Sequence, residues 1–228
     1  VFSDLHIKKS ELTECGVVLD EIISLCNKHS VDEVINLGDT FDILKPESEC
    51  LDLFAAFIKK LNRPLIILAA NSHESTNSEN SIMNHFAILH EGVRIFKEYK
   101  DEEYLFAGHF FLNESNVNYG AARSAEEFKK YKYVLLGHQH SLQAIGKNIM
   151  HIGACRYIDF AESQDKAKVC LLIENYKAEN ETNHIIALKS AYPMKDVIIT
   201  NSMATVSPGA KSEGKKWQEV LNLLPEKT

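Results

Sequence analysis

The chain has 228 residues, 45% hydrophobic and 25% charged, and a formal net charge of −7. That balance suits one substantial globular core and excludes a disordered or fibrous chain. The longest apolar runs, such as residues 65–70, are far too short to span a bilayer.

The opening Val1-Phe2-Ser3-Asp4 carries no secretory signal, and Val1-Phe2 reads as the tail of a strand. The scattered, unpaired cysteines and the short apolar runs point to a cytoplasmic protein with no membrane partner. Helical spacing of Leu12, Val18, Leu19, Ile22, Ile23 and Cys26 predicts a helix over 11–29. A short strand follows at 34–37, then a helix over 49–61 with Leu51, Phe54, Ala55 and Ile58 on one face. Residues 64–69 read as a central strand, apolar on both faces. Next come a helix over 81–89, a strand at 104–107, a short helix at 124–131 and a strand at 133–136. From Ile145 the texture turns hairpin-like, at 149–152, 169–174 and 184–188. Alternation of this kind predicts an α/β protein, with a second, more antiparallel sheet packed on the first. Residues 1–200 are expected to form one domain. Residues 201–228 read as a linker and a short amphipathic element, Trp217 to Leu224. The five cysteines are scattered without a paired spacing, so buried thiols are expected rather than disulfides or a zinc knuckle.

Five clusters carry chemistry, each just after a predicted strand, where open α/β sheets bind ligands. Asp4-Leu5-His6 places a carboxylate and an imidazole on one side of an extended segment. Gly38-Asp39-Thr40-Phe41-Asp42 projects a carboxylate able to bridge two cations. Asn71-Ser72-His73-Glu74 offers an amide oxygen and a histidine that can give a proton or steady an oxyanion. Gly108-His109 and Gly137-His138-Gln139-His140 supply three more imidazoles. Any one cluster has an ordinary reading as a turn, a cap or a satisfied histidine. Together they furnish ligands for about two octahedral cations. Mixed oxygen and imidazole donors without thiolate suit Mn²⁺ best, ahead of Mg²⁺, Fe²⁺ or Zn²⁺. A bridged pair roughly 3.5–4 Å apart clamps a phosphate and activates water.

In this order the clusters resemble the calcineurin-like metallophosphoesterase superfamily, over about two thirds of the chain. The resemblance implies a four-layer α/β/β/α sandwich with two mixed sheets. It implies that Asp4, His6 and His140 hold one metal and Asn71, His109 and His138 the other, with Asp39 bridging. His73 matches the catalytic histidine. The family motif sets Asn directly before His; here Ser72 intervenes, so Asn71 or Ser72 stands at the ligand place, and Asn71 is the better donor. Asp42 is expected to orient a ligand. Within the superfamily, Ser3-Asp4-Leu5-His6-Ile7 and Gly153-Ala154-Cys155-Arg156-Tyr157-Ile158-Asp159-Phe160 look like the SbcD-type nuclease branch. That implies an exonuclease and endonuclease acting on DNA in recombination or repair. It also implies an SbcC-like coiled-coil ATPase partner, a homodimer, and a cap domain of which residues 201–228 are a start or remnant.

The acidic net charge stands against nonspecific DNA binding, although a metal pair brings about four positive charges to the site. A phosphatase of the same superfamily and a non-catalytic scaffold are the rival readings. Arg156 is a candidate phosphate contact, with salt bridging the commoner fate for it and for Arg123. His29, His85, His90, His151 and His184 have no strand-end partners and read as surface or core histidines. The runs at Lys8-Lys9, Lys59-Lys60 and Lys129-Lys130 are flanked by acids and read as solvated faces.

Overall fold

A computed structural model describes residues 1–69, 82–121 and 123–192, and the backbone of 196–199 and 204–207. After a 3₁₀ turn at Lys9–Glu11, helix α1 (Leu12–Lys28) buries Cys15, Val18, Leu19, Ile22 and Cys26 along one stripe. Strand β1 (Val34–Asn36) leads to α2 (Ser48–Leu61), which buries Cys50, Phe54, Phe57, Ile58 and Leu61. Asn62 ends α2 in the left-handed region, its N–H returning to Ile58 O at 3.2 Å. There follow β2 (Leu65–Leu68), α3 (Met83–Leu89), β3 (Val93–Phe96), β4 (Tyr99–Asp101), β5 (Leu105–His109) and β6 (Tyr133–Gly137). The chain continues through β7 (Gln143–Ile145), β8 (Ile149–His151), β9 (Val169–Glu174), β10 (Thr182–Ala187), β11 (Asp196–Ile199) and β12 (Ala204–Ser207).

One sheet has the order β1-β2-β3, all parallel. Phe2 adds to the free edge of β1 in parallel. Val1 exchanges both backbone bonds with Leu171, at 2.7 and 2.9 Å, so the β9-β10 hairpin extends the same layer. The other sheet is mixed, in the order β4-β5-β6-β8-β7. The alternation of side chains sorts the core into layers. Val34, Leu65 and Ile67 face α1 and α2; Ile35, Leu37, Ile66 and Leu68 face Leu105, Ala107 and Leu135 of the second sheet. On the far side, Phe106, Val134 and Leu136 pack on Leu112, Phe128 and Tyr131.

That outermost layer is thin. The helix expected over 124–131 is a 3₁₀ turn, Ala125–Phe128, started by a capping box between Ser124 and Glu127. Arg123 spans it, paired with Glu98 and Glu127 and lying over the rings of Phe110 and Phe128 at 4.6 and 4.4 Å. Strands β3, β4, β7, β11 and β12 have no counterpart in the sequence reading. The antiparallel β11-β12 hairpin straddles residue 200. The amphipathic segment at 217–224 lies outside the described residues. Among the described residues no helix is long and apolar enough to cross a membrane, and all five cysteines are free and buried.

Candidate metal centre

Phe2 runs parallel to β1, and β5 parallel to β6, and the carboxyl ends of these strands open at one edge. Asp4 and Asp39 leave that edge side by side. Asp4 N–H donates to Gly38 O at 3.0 Å, His6 N–H to Asp39 O at 2.9 Å and Ile7 N–H to Thr40 O at 2.8 Å. The two loops are thereby zipped together, and Asp4, His6, Asp39 and His138 all take positive φ, between 46° and 76°. A residue other than glycine held there costs about 1–3 kcal/mol, so the surrounding bonds must over-determine it. Two glycines make the close approach possible. Gly38 has φ 106°, and a Cβ on it would lie 2.8 Å from His109 Nδ1; one on Gly137 would lie 2.6 Å from the same atom and against Ser3 Oγ.

The side chains converge in two groups, Asp4 with His6 and His140, and Asp39 with His109 and His138. Asp4 Oδ1 lies 4.0 Å from His6 Nε2, 3.9 Å from His109 Nε2 and 3.7 Å from His140 Nε2. Asp39 Oδ2 lies 3.2 Å from His109 Nε2 and 3.5 Å from His6 Nε2, so this carboxylate faces both groups. The rings pair likewise, His6 with His140 at 5.1 Å and His109 with His138 at 5.0 Å between centroids. Phe111 covers His138 at 4.2 Å.

Three of the four histidines are oriented from behind through Nδ1. His109 donates to Leu37 O at 2.7 Å, His6 faces Asp42 Oδ1 at 3.3 Å, and His140 bonds Glu162 Oε1 at 2.7 Å. Each Nε2 is thus turned toward the carboxylates, the arrangement that prepares imidazole as a ligand. Burial opposes a charge on His109, yet Asp4 and Asp39 hold its pKa up, at about 9. Burial also opposes ionisation of Asp39, but the bond and charge of His109 keep that carboxyl below its usual range. His6 and His138 are pushed down, chiefly by burial.

These residues fit a pair of divalent cations. His6 Nε2 and Asp39 Oδ1 are buried without a hydrogen-bond partner, a state that is costly unless something else engages them. The donors are oxygen and imidazole, with thiols elsewhere in the core. Since a proton on His109 competes with an ion for Nε2 and persists to about pH 9, loading is expected to strengthen as pH rises. One displaced proton gives about tenfold per unit, levelling above that pKa. Mn²⁺ titrations from mildly acid to alkaline pH measure it; a flat affinity contradicts it.

Of the residues singled out in the sequence, Asp4, His6, Asp39, His109, His138 and His140 gather here and Asp42 stands behind His6. Asn71, Ser72 and His73 lie outside the described residues. Arg156 needs correction as a phosphate contact. It is 0% exposed, donates to Leu5 O at 2.7 Å and His6 O at 3.0 Å, and pairs with Glu11 and Glu14 of the first helical segment. It clamps the loop that carries Asp4 and His6. His151 is a satisfied core histidine, bonded to Ser115 Oγ at 2.8 Å and Gly137 O at 3.2 Å. Glu162 and Lys168 escaped the sequence reading, since a 3₁₀ turn at Phe160–Gln164 has no periodicity that marks a buried acid.

A model of the calcineurin-like phosphoesterase family matches residues 1–142. No curated protein is significantly similar to the chain. Among solved structures, the crystal structure of the Pseudomonas putida nuclease MPE is similar at 12% identity and a TM-score of 0.41, over 90% of this chain and 80% of that one.

Proposed function

The chain belongs to the calcineurin-like phosphoesterase family, and on that premise we propose that it is a two-metal phosphodiesterase acting on DNA, a nuclease of the SbcD type. The reading includes Mn²⁺ as the working ion, a cytoplasmic site of action in recombination or repair, an SbcC-like coiled-coil ATPase as partner, and a homodimer. The carrying observation is the meeting of two three-residue donor groups at Asp4 and Asp39. Support for the nuclease branch comes from the opening Ser3-Asp4-Leu5-His6-Ile7 and the segment from Gly153 to Phe160.

Asp4, His6 and His140 would hold one cation and His109 and His138 the other, with Asp39 shared and Asn71 completing the second set. A divalent pair supplies positive charge to the phosphate and lowers the pKa of a water. The chain itself supplies two buried carboxylates that fix the ions, imidazoles aimed from behind, and Phe111 as an apolar wall beside His138. His73 is assigned the proton for the departing sugar oxygen, on the resemblance stated above.

With Mn²⁺, the protein is expected to cleave double- or single-stranded DNA and small phosphodiesters, and EDTA to abolish both. Turnover of a phosphodiester ester without DNA cleavage removes the nuclease claim. Preference for phosphomonoesters selects a phosphatase, and absence of any turnover with ions bound selects a scaffold.

A further inference from the structure

We propose that Glu162, neutralised by Lys168, is a positioning residue for His140, setting which ring nitrogen of His140 is free to bind an ion. The inference rests on the metal-centre reading above. Glu162 is 4% exposed and Lys168 2% exposed, and they lie 22 and 28 residues downstream of His140, so the contact is made only in the fold. Glu162 Oε1 accepts from His140 Nδ1 at 2.7 Å, and Oε2 meets Lys168 Nζ at 2.5 Å and Ile158 N at 3.2 Å. Lys168 Nζ then donates to His140 O at 3.0 Å and to Asp165 Oδ2 at 2.7 Å. Ala154 N–H reaches the same carbonyl at 2.9 Å. The network therefore grips His140 at both ring and backbone, leaving Nε2 as its one open donor atom, 3.7 Å from Asp4 Oδ1.

A buried Lys–Glu pair is weak as a source of stability, because desolvation of both charges offsets their attraction. What this pair accomplishes is directional: it keeps the proton on Nδ1 and the lone pair on Nε2, as a ligand requires. Asp159 and Glu162 also approach His140 closely enough to suggest an ion among the three. But Lys168 already supplies the cation there, and Asp159 Oδ1 caps the 3₁₀ turn through Ala161 N at 2.7 Å and Glu162 N at 3.2 Å.

Glu162→Gln tests the idea at nearly constant volume. With its single oxygen turned to Lys168, the amide N–H₂ faces Nδ1 and drives the proton onto Nε2, the atom needed for binding. Glu162→Ala removes the acceptor altogether. In isothermal titration of Mn²⁺ into the full chain, both variants are expected to bind one ion with wild-type affinity. The other ion should bind about 10–100-fold more weakly. The Asp39–His109–His138 group, which Glu162 does not touch, serves as the internal control for folding. Two ions bound with wild-type affinity in both variants, or equal weakening of the two, overturns the positioning role while leaving the metal pair standing. A wild-type chain that binds no ion overturns the metal centre, and this inference with it.

Discussion

Asp39→Asn is expected to lower metal-dependent phosphodiester hydrolysis by about a thousandfold, with the fold preserved. Asp39 Oδ2 faces both His109 and His6, and Oδ1 is buried without a partner, so this one carboxylate serves the two donor groups at once. Its charge is what a cation pair would share. Removing it forfeits several kcal/mol of charge stabilisation, and about 4 kcal/mol is a factor of a thousand. Asparagine is the right probe because Asp39 sits at φ 49°, a backbone region that asparagine accepts as readily as aspartate. The loss therefore reports on charge and not on backbone strain. Steady-state kinetics with Mn²⁺, beside a thermal melt, measures it. A variant within tenfold of wild type would remove Asp39 from the centre of the chemistry.

The largest effect on stability is expected from Arg156→Leu, at about 3–5 kcal/mol, the usual consequence of removing one partner from a buried charge network. Leucine leaves Leu5 O and His6 O without their donors at 2.7 and 3.0 Å, and leaves Glu11 and Glu14 without their guanidinium. At this size a kcal/mol moves the midpoint by about 2–4 °C, so a fall on the order of 10 °C should appear in the metal-free protein. A phosphate-binding arginine would behave in the opposite way, raising KM while sparing the melting temperature. That pattern would restore the role the buried geometry denies it.

The helices and central strands were legible because their apolar spacing is long and regular, as in Cys15-Val18-Leu19-Ile22-Cys26 and Leu65-Ile66-Ile67-Leu68. Strands β3, β4 and β7 were not. Each has three or four residues with mixed exposure, and their pairing is decided by neighbours remote in sequence. Asp39, His138 and His140 were legible because each follows a short apolar strand and His109 ends one, while Asp4 and His6 were marked by their Asp-x-His spacing after Phe2. Glu162 and Arg156 show the complementary case. Nothing near Arg156 in sequence says that its partners are carbonyls 150 and 151 residues away, and a sequence assigns a guanidinium no depth. Likewise the acid behind His6, Asp42, lies three residues past Asp39, whereas the acid behind His140 is 22 residues downstream on an irregular turn.

The left-handed backbone at Asp4, His6, Asp39 and His138 restricts what the centre can become. Only Asn, Asp, His and Gly enter that geometry with ease, and glycine brings no donor atom. Drift at these four places is therefore confined to oxygen and imidazole ligands. Cysteine, the substitution that would recruit a thiophilic ion, is disfavoured before any chemistry is considered, so the bias against soft metals is written partly in φ angles.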